Sequence, residues 1–195
     1  MRLAALILAA GQSSRFGGCK QLAILGDSPL LQHSIDAAGA LGGPVYVIGG
    51  RWQRELELAF ARGSLKGARL IHSPDWQQGM GHSIASGVSQ LEDHYDGILI
   101  MLSDQVALKA AAISSIAQQF SGENIVCSYY QARRGAPALF GRNAYAELCR
   151  LQGDKGARSL LNDPTRHIQV IDMPDAAIDI DTPQELAAFA ATGLM

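Results

Sequence analysis

The sequence has few charged and few aromatic residues. Charged residues make up 17% of the 195 residues, aromatic residues make up 6%, and the formal net charge is -2. A protein that binds nucleic acid usually carries a strongly positive surface, which this charge balance does not supply. Any anionic ligand must therefore be held by a local cluster of positive side chains, and we expect no nucleic-acid partner.

Cysteine is also scarce. Cys19, Cys127 and Cys149 are odd in number and widely spaced, and no CxxC pattern is present. This pattern argues against a disulfide framework and against a zinc site. We expect reduced, packed thiols, with a second interpretation open for Cys19, which could modulate the neighbouring glycine-rich loop.

Long apolar runs are missing as well. No stretch is long enough to span a bilayer. The first run, Leu3–Ala9, is short and leads directly into a Gly/Ser segment followed by Arg15 and Lys20. This arrangement favours a buried parallel strand over a signal peptide. We therefore expect a cytoplasmic protein without membrane contact.

What the sequence does contain is a regular alternation of apolar runs with helical periodicity. The predicted strands are Leu3–Ala9, Pro44–Ile48, Arg69–His72, Gly97–Leu102 and Asn124–Tyr129, and the predicted helices are Leu30–Leu41, Gln53–Arg62, Ser83–Leu91 and Ala110–Phe120. Shorter strands at Ala136–Phe140, His167–Asp172 and Ile178–Ile180 and helices at Asn143–Leu151, Lys155–Leu161 and Pro183–Ala191 follow. This alternation predicts one three-layer α/β domain over residues 1–195, with a mostly parallel sheet. Ligands bind such sheets beyond the carboxyl ends of the strands.

A glycine-rich loop follows the first predicted strand. Small residues from Gly11 to Gly18 let the backbone approach a ligand, and Arg15 and Lys20 add two cations. The loop fits neither the GxxxxGK[ST] phosphate loop nor the GxGxxG dinucleotide fingerprint. It therefore predicts a phosphate cradle of another kind, the alternative being a flexible turn with incidental cations.

Carboxylates follow two later strand-like runs. Asp104 comes directly after the apolar run Gly97–Leu102 and Ser103, while Asp179 and Asp181 alternate before Pro183. Magnesium prefers one or two carboxylates together with substrate phosphates. Helix capping is the alternative for Asp104, and also for Thr182 or Asp181, because Pro183 is a good first-turn residue.

Three further glycine-containing segments carry polar or basic residues. Gly79–Ser83 precedes a predicted helix that Ser83 could cap, and the alternative is a simple loop with an N-cap. Arg133–Pro137 and Gly153–Arg158 add four cations, which in most proteins would only be solvated.

Six separated motifs, in order along nearly the whole chain, resemble those of the molybdenum cofactor cytidylyltransferases and related molybdopterin-type nucleotidyltransferases. They are LAAGxSxRxGxxK from Leu8, GMGxS from Gly79, SDQ from Ser103, RRGxP from Arg133, GDKGAR from Gly153 and DIDTPQEL from Asp179. One departure is Val106, which stands where the family has a proline after DQ.

The resemblance implies a Rossmann-like nucleotidyltransferase fold with one antiparallel strand, and it implies a role for each motif. Arg15 and Lys20 would neutralise phosphate, Asp104 and Asp179 would bind Mg²⁺, and Asp181 is the alternate ligand. The implied nucleotide-binding residues are Leu8, Ala9, Ala10, Gly11, Ser13, Gly79 and Ser83, and the implied acceptor-binding residues are Arg134, Lys155 and Arg158.

The implied reaction joins CMP from CTP to the phosphate of molybdopterin and releases pyrophosphate. The cytosine dinucleotide would pass to a xanthine-dehydrogenase-type molybdoenzyme or its chaperone. LAAG instead of the LAGG of the guanylyltransferases favours CTP over GTP. The alternatives are methylerythritol phosphate as acceptor, a glycosyltransferase, and a non-catalytic cofactor carrier.

Overall fold

The structure, a computed structural model, describes residues 1–193. The strands are β1 (Leu3–Leu8), β2 (Ile24–Leu25), β3 (Ser28–Pro29), β4 (Val45–Gly49), β5 (Arg69–His72), β6 (Gly97–Leu102), β7 (Ile125–Tyr130), β8 (Arg133–Gly141) and β9 (Ile168–Asp172). The helices are α1 (Leu30–Ala38), α2 (Gln53–Ala61), α3 (Met80–Ser89), α4 (Ala110–Gln118), α5 (Tyr145–Leu148), α6 (Arg158–Leu161) and α7 (Pro183–Ala191). The last two residues of the predicted domain 1–195 lie outside the described residues.

Seven of the strands form one sheet in the order β5-β4-β1-β6-β8-β7-β9. All neighbours pair in parallel except β8, which runs antiparallel to both β6 and β7. The predicted α/β fold with a mostly parallel sheet and one antiparallel strand is confirmed. The carboxyl ends of β6, β1, β4 and β5 therefore lie side by side at one edge, which is called the carboxyl edge below.

Helices cover both faces of this sheet because its central strand is apolar on both sides. Along β1, Ala5 and Ile7 pack with residues of α1, α2 and α4, whereas Leu6 and Leu8 pack with residues of α3, α5 and α6. Alternating side chains of an extended strand point to opposite faces. A continuous apolar run thus supports a three-layer arrangement.

Several predicted element boundaries are wrong. α3 begins at Met80 rather than Ser83, so Ser83 lies in its first turn and Gly79 occupies the N-cap position. Ile178–Ile180 is not a strand, and its one ladder-like contact is Ile180 N–H donating to the Asp104 carbonyl at 3.3 Å. The helices predicted at Asn143–Leu151 and Lys155–Leu161 are shortened to α5 and α6, because 3₁₀ geometry and the positive φ of Gly156 interrupt them.

Within residues 1–193, no helix combines the length and the apolar character that crossing a membrane requires.

Phe140 is the largest side chain that the fold buries completely. It lies on β8 and pairs in register with Ile98 of β6 and Ile125 of β7. Replacing Phe140 with alanine should lower the free energy of unfolding by about 3–5 kcal/mol, because the cavity left behind adds to the lost burial. Urea denaturation measures this change. Leu58→Ala, at a side chain that is 45% exposed, is the control, and an equal loss in both variants would contradict this account of the core.

Candidate active site

The start of the loop after β1 is held by hydrogen bonds to β4, to the turn after β4 and to the Gln21 side chain. Ala9 N–H donates to the Ile48 carbonyl at 3.0 Å, and the Ala10 carbonyl accepts the Arg51 N–H at 3.2 Å. The buried Gln21 side chain donates from Nε2 to the Ala9 carbonyl at 3.3 Å. Ser13 adopts a φ of 53°, a left-handed conformation that costs a residue with a Cβ about 1–2 kcal/mol. Backbone strain of this kind is concentrated at ligand sites.

Lys20 joins this loop to two carboxylates from distant parts of the chain. Its Nζ lies 2.9 Å from Asp104 Oδ2 and 2.9 Å from Asp181 Oδ1. Burial alone would lower the pKa of Lys20, but the two carboxylates outweigh it and hold that pKa above the usual value. Lys20 is therefore a fixed cation at the carboxyl edge.

Arg15 adds a second cation to the same group. Its guanidinium lies 2.8 Å from Asp181 Oδ2 and remains 72% exposed. Burial would raise the pKa of Asp181, whereas Lys20 and Arg15 lower it further, so that its net pKa is below the usual value. Because its end is exposed to solvent, Arg15 has room to turn from Asp181 towards an incoming phosphate.

Asp104 is positioned by its neighbour in sequence. The buried Gln105 donates from Nε2 to the Ala136 carbonyl at 2.9 Å and to the Ala176 carbonyl at 2.8 Å, which fixes the turn after β6. The helix-capping interpretation of Asp104 is wrong, because α4 begins only at Ala110 and has Lys109 at its N-cap. Val106, the departure from the family pattern, packs in an apolar cluster beside this turn.

The structure brings Asp181, and not Asp179, to Asp104. Both Asp181 N–H and Thr182 N–H donate to Glu185 Oε2 at 2.8 Å, and Glu185 N–H donates to Thr182 Oγ1 at 3.2 Å. This capping box at the start of α7 aims Asp181 at Lys20, while Asp179 is exposed. The capping interpretation therefore applies to Thr182, and it leaves the Asp181 carboxylate available to the site.

The carboxylates suit a hard cation such as Mg²⁺. Asp104 Oδ1 is buried and accepts no hydrogen bond from any residue within 1–193, so one strong acceptor of the site is unused. No group of three or more His, Cys, Asp or Glu side chains with metal-binding geometry occurs in that range. Two carboxylates are nevertheless enough for an ion that takes its other ligands from water and substrate phosphate.

Two cavities open at the carboxyl edge. The first has a volume of about 650 Å³ and contains most of the predicted phosphate, metal and nucleotide residues: Leu8, Ala10, Gly11, Ser13, Arg15, Lys20, Gly79, Ser83, Asp104 and Asp181. Ala9 does not line it, because its side chain is buried in the core. The second has a volume of about 760 Å³ and is lined by the predicted acceptor residues Arg134, Lys155 and Arg158. Leu8, Met80, Leu102 and Asp154 line both cavities, so the two are adjacent.

The wall between the cavities depends on a close approach of two backbone segments. Gly79 has a φ of +112°, and a Cβ there would lie 2.5 Å from the Gly153 carbonyl carbon. Gly81 N–H donates to the Gly153 carbonyl at 2.7 Å, and Gly153 N–H donates to His82 Nδ1 at 3.2 Å. The GMG and GDK motifs are therefore one packed unit, and His82 serves packing.

The three cations predicted to bind the acceptor line the second cavity, and they differ in whether another residue holds the side chain. Arg134 donates from its guanidinium to the Leu161 carbonyl at 2.8 Å, which ties β8 to α6. Lys155 and Arg158 are exposed. Met80, Leu102 and Ala157 form part of the apolar floor beside these side chains.

Sequence reasoning assigned no role to several residues of the site, among them Gln21, Trp76 and Asp154, which line the first cavity, and Gln105, which fixes the turn that carries Asp104. Gln105 stands inside the quoted SDQ motif, and Asp154 stands inside GDKGAR, so their motifs were the available signal. Cys19 is a packed thiol whose pKa burial raises to about 11, and its Sγ lies 3.5 Å from Gln21 Oε1. A protonated thiol is a poor nucleophile and a poor metal ligand.

The two candidate ligands at the DIDTP motif can be separated by metal binding. Asp181→Asn should weaken Mn²⁺ binding by at least about 10- to 100-fold, the loss found even when residues outside the coordination sphere are changed. Asp179→Asn is the matched control and should bind Mn²⁺ like the unchanged protein. Electron paramagnetic resonance of free Mn²⁺ measures both affinities, and a larger loss in Asp179→Asn would move the ligand to that residue.

Comparison with known proteins agrees with this geometry. PucB, a purine catabolism protein of Bacillus subtilis, is 32% identical over 115 residues, which are 57% of this chain and 56% of PucB. The chain thus matches only about half the length of that relative. Nicotine blue oxidoreductase of Paenarthrobacter nicotinovorans is 27% identical over 198 aligned positions, covering 93% of each chain. Rv0371c of Mycobacterium tuberculosis, solved in complex with manganese, has the same fold with a TM-score of 0.80, 24% identity and coverage of 98% of this chain and 100% of that one.

The MobA-like NTP transferase domain matches residues 5–170, which include most of β1, the glycine-rich loop after it, Asp104 and the wall between the two cavities. A match over most of the chain, together with a fold and a site of this form, establishes its family: the chain belongs to the MobA-like NTP transferases.

Proposed function

We propose that this chain transfers a nucleoside monophosphate from a nucleoside triphosphate to a phosphorylated acceptor and releases pyrophosphate. One observation carries the proposal. The cavity that contains Lys20, Arg15 and the two carboxylates shares a wall with a second cavity that has an apolar floor and a basic rim. Two substrates bound in adjacent cavities can react where the cavities meet.

The chemistry is an in-line displacement. An oxygen of the acceptor's phosphate monoester attacks the α-phosphorus, a new P–O bond forms, and the bond to the β-phosphate breaks, so that pyrophosphate leaves with the electron pair. Because the second pKa of a phosphate monoester is about 6, the attacking oxygen is already ionised near neutral pH. No general base is needed, which suits a site that consists of cations and carboxylates.

The chain's own residues position the phosphates and neutralise their charge. Lys20 is a fixed cation between Asp104 and Asp181, and Arg15 can follow the triphosphate because its guanidinium is exposed. Backbone N–H groups of the loop from Gly11 can point at phosphate oxygens. Asp104 and Asp181 would hold Mg²⁺, which would neutralise the charge that develops on the phosphates. The manganese complex of Rv0371c supports a divalent ion.

The second cavity supports a flat, anionic acceptor. Its floor includes Met80, Leu102 and Ala157, and the exposed Lys155 and Arg158 stand at its rim. An apolar floor suits the face of a heteroaromatic ring, and the rim suits a phosphate. We assign the acceptor as molybdopterin and the donor as CTP. The description of PucB as a purine catabolism protein supports delivery to a xanthine-dehydrogenase-type enzyme or its chaperone.

A second candidate function follows from one of the relatives. The relative named nicotine blue oxidoreductase, which aligns over 93% of each chain, favours a redox activity as the second candidate. A cofactor carrier would use the same two cavities without turnover. GTP in place of CTP, or methylerythritol phosphate as acceptor, would leave the transfer mechanism unchanged.

Pyrophosphate release tests the proposal directly. With Mg²⁺ and molybdenum cofactor, CTP should release pyrophosphate and give a cytosine dinucleotide, while GTP, ATP and UTP should release far less. Phosphate detection after pyrophosphatase and mass spectrometry of the product measure both. Release with another triphosphate would change the base, and nucleotide binding without any release would favour the carrier. Nicotine blue reduction by a reduced nicotinamide, without pyrophosphate release, would favour the oxidoreductase.

Lys20 should be required for turnover. Lys20→Met should lower kcat by about 10²–10³-fold, the usual effect of removing one group that stabilises transition-state charge. The control is Lys109→Met, at an exposed lysine in front of α4. Since Lys20→Met also leaves two carboxylates without their partner, Lys20→Arg and a thermal melt separate lost charge from lost folding. A normal kcat in a folded Lys20→Met protein would refute the cradle.

A further inference from the structure

The first cavity runs along the carboxyl edge across several strands. Asp104 follows β6, the glycine-rich loop with Gly11 follows β1, Gly50 follows β4 and Trp76 follows β5. Adjacent strands lie about 4.8 Å apart, so the distance from the end of β6 is about 10 Å to β4 and about 14 Å to β5. The charged side chains of the cavity, which are Lys20, Arg15 and the two carboxylates, therefore lie towards its β6 end, and the indole ring of Trp76 lies at its β5 end.

Trp76 is seated against backbone. A Cβ at Gly50 would lie 2.6 Å from Trp76 Cγ and 2.7 Å from the Ala10 carbonyl oxygen, so the glycine lets the indole pack on the turn after β4. Gly79 N–H donates to the Trp76 carbonyl at 3.2 Å, which fixes the turn that carries the ring. The half-buried ring lines the first cavity together with Gly11 and Gln12.

The other tryptophan lies outside the cavity. Trp52 Nε1 donates to the Gln12 carbonyl at 3.2 Å, and the Arg51 guanidinium lies 4.6 Å from the centre of its ring system. Trp52 thus contacts the backbone of the glycine-rich loop after β1 and does not line either cavity. Of the two indoles in the chain, Trp76 is the one that a bound ligand can reach.

We infer that Trp76 is the stacking surface for the nucleobase. The inference rests on the proposed function: with the triphosphate at Lys20 and the carboxylates, the base extends along the edge towards β4 and β5. An aromatic ring at that end offers a flat face to a heterocycle. Every base has such a face, so Trp76 contributes affinity for any nucleotide, and the choice of base belongs to groups that contact the base edge.

Tryptophan fluorescence tests this placement. In the Trp52→Phe protein, Trp76 is the sole indole, and CTP with Mg²⁺ should quench its emission. Tripolyphosphate with Mg²⁺, which has the anionic part and no base, should leave the emission unchanged. Equal quenching by both ligands, or no quenching by a nucleotide that calorimetry shows to bind, would overturn the inference.

Substitution of Trp76 gives an independent readout. Trp76→Leu should weaken CTP, GTP, ATP and UTP by a similar factor of about 5- to 150-fold and should leave tripolyphosphate affinity unchanged. Its KM for nucleotide should rise while kcat changes little, and Trp76→Phe should restore most of the affinity. A Trp76→Leu protein that binds nucleotide normally overturns the role of Trp76 and leaves the proposed transfer standing. Absence of nucleotide binding to the unchanged protein overturns both.

Discussion

The contact of Lys20 with Asp104 and Asp181 is the interaction on which the site depends. Removing an ammonium group from water costs several kcal/mol, and here two carboxylates at 2.9 Å offset that cost. With Arg15 included, the group contains two positive and two negative side chains and is close to neutral. A triphosphate entering a neutral group adds uncompensated negative charge. Binding is therefore favourable when a cation enters with the phosphates and a side chain such as Arg15 leaves its carboxylate for them.

This charge arrangement is held by side-chain contacts to backbone groups, one after the end of β6 and one at the start of α7. Gln105 fixes the turn that carries Asp104, and Glu185 fixes the segment that carries Asp181. Both are side chains that bond backbone groups, so each sets the direction of a carboxylate that it does not touch. The two carboxylates come from residues 77 positions apart, the difference between 181 and 104, and the hydrogen bond from Ile180 N–H to the Asp104 carbonyl and the contacts of Lys20 join their two segments. The positions of the two carboxylates thus depend on these polar contacts, whereas the stability of the core depends on the apolar faces of the sheet.

The fold could be predicted from the sequence because its determinants are local. The apolar runs of β1 and β6 and the periodicity of α1 and α4 identify a covered parallel sheet, whereas the antiparallel β8 came from resemblance alone. The choice between Asp179 and Asp181 could not be predicted, since strand alternation treats both alike. The Thr182–Glu185 capping box sets the orientation of Asp181. It does so through backbone hydrogen bonds, which the spacing of apolar residues in the sequence does not predict. Likewise, the start of α3 at Met80 could not be predicted, because it depends on the packing of Gly79 against Gly153, which is distant in sequence.

The close packing of Gly79 and Gly81 on Gln152 and Gly153 also constrains how the two cavities can work. The first pair belongs to the nucleotide side and the second to the loop that carries Asp154 and Lys155. Because backbone atoms are in contact there, the loop with Gly153 cannot shift without moving the start of α3. In the proposed function, substrates in the two cavities would therefore be held in a fixed relation by the chain itself. For a displacement that needs attacking and leaving oxygens in line, this rigidity supplies orientation that a flexible lid would have to create on each turnover.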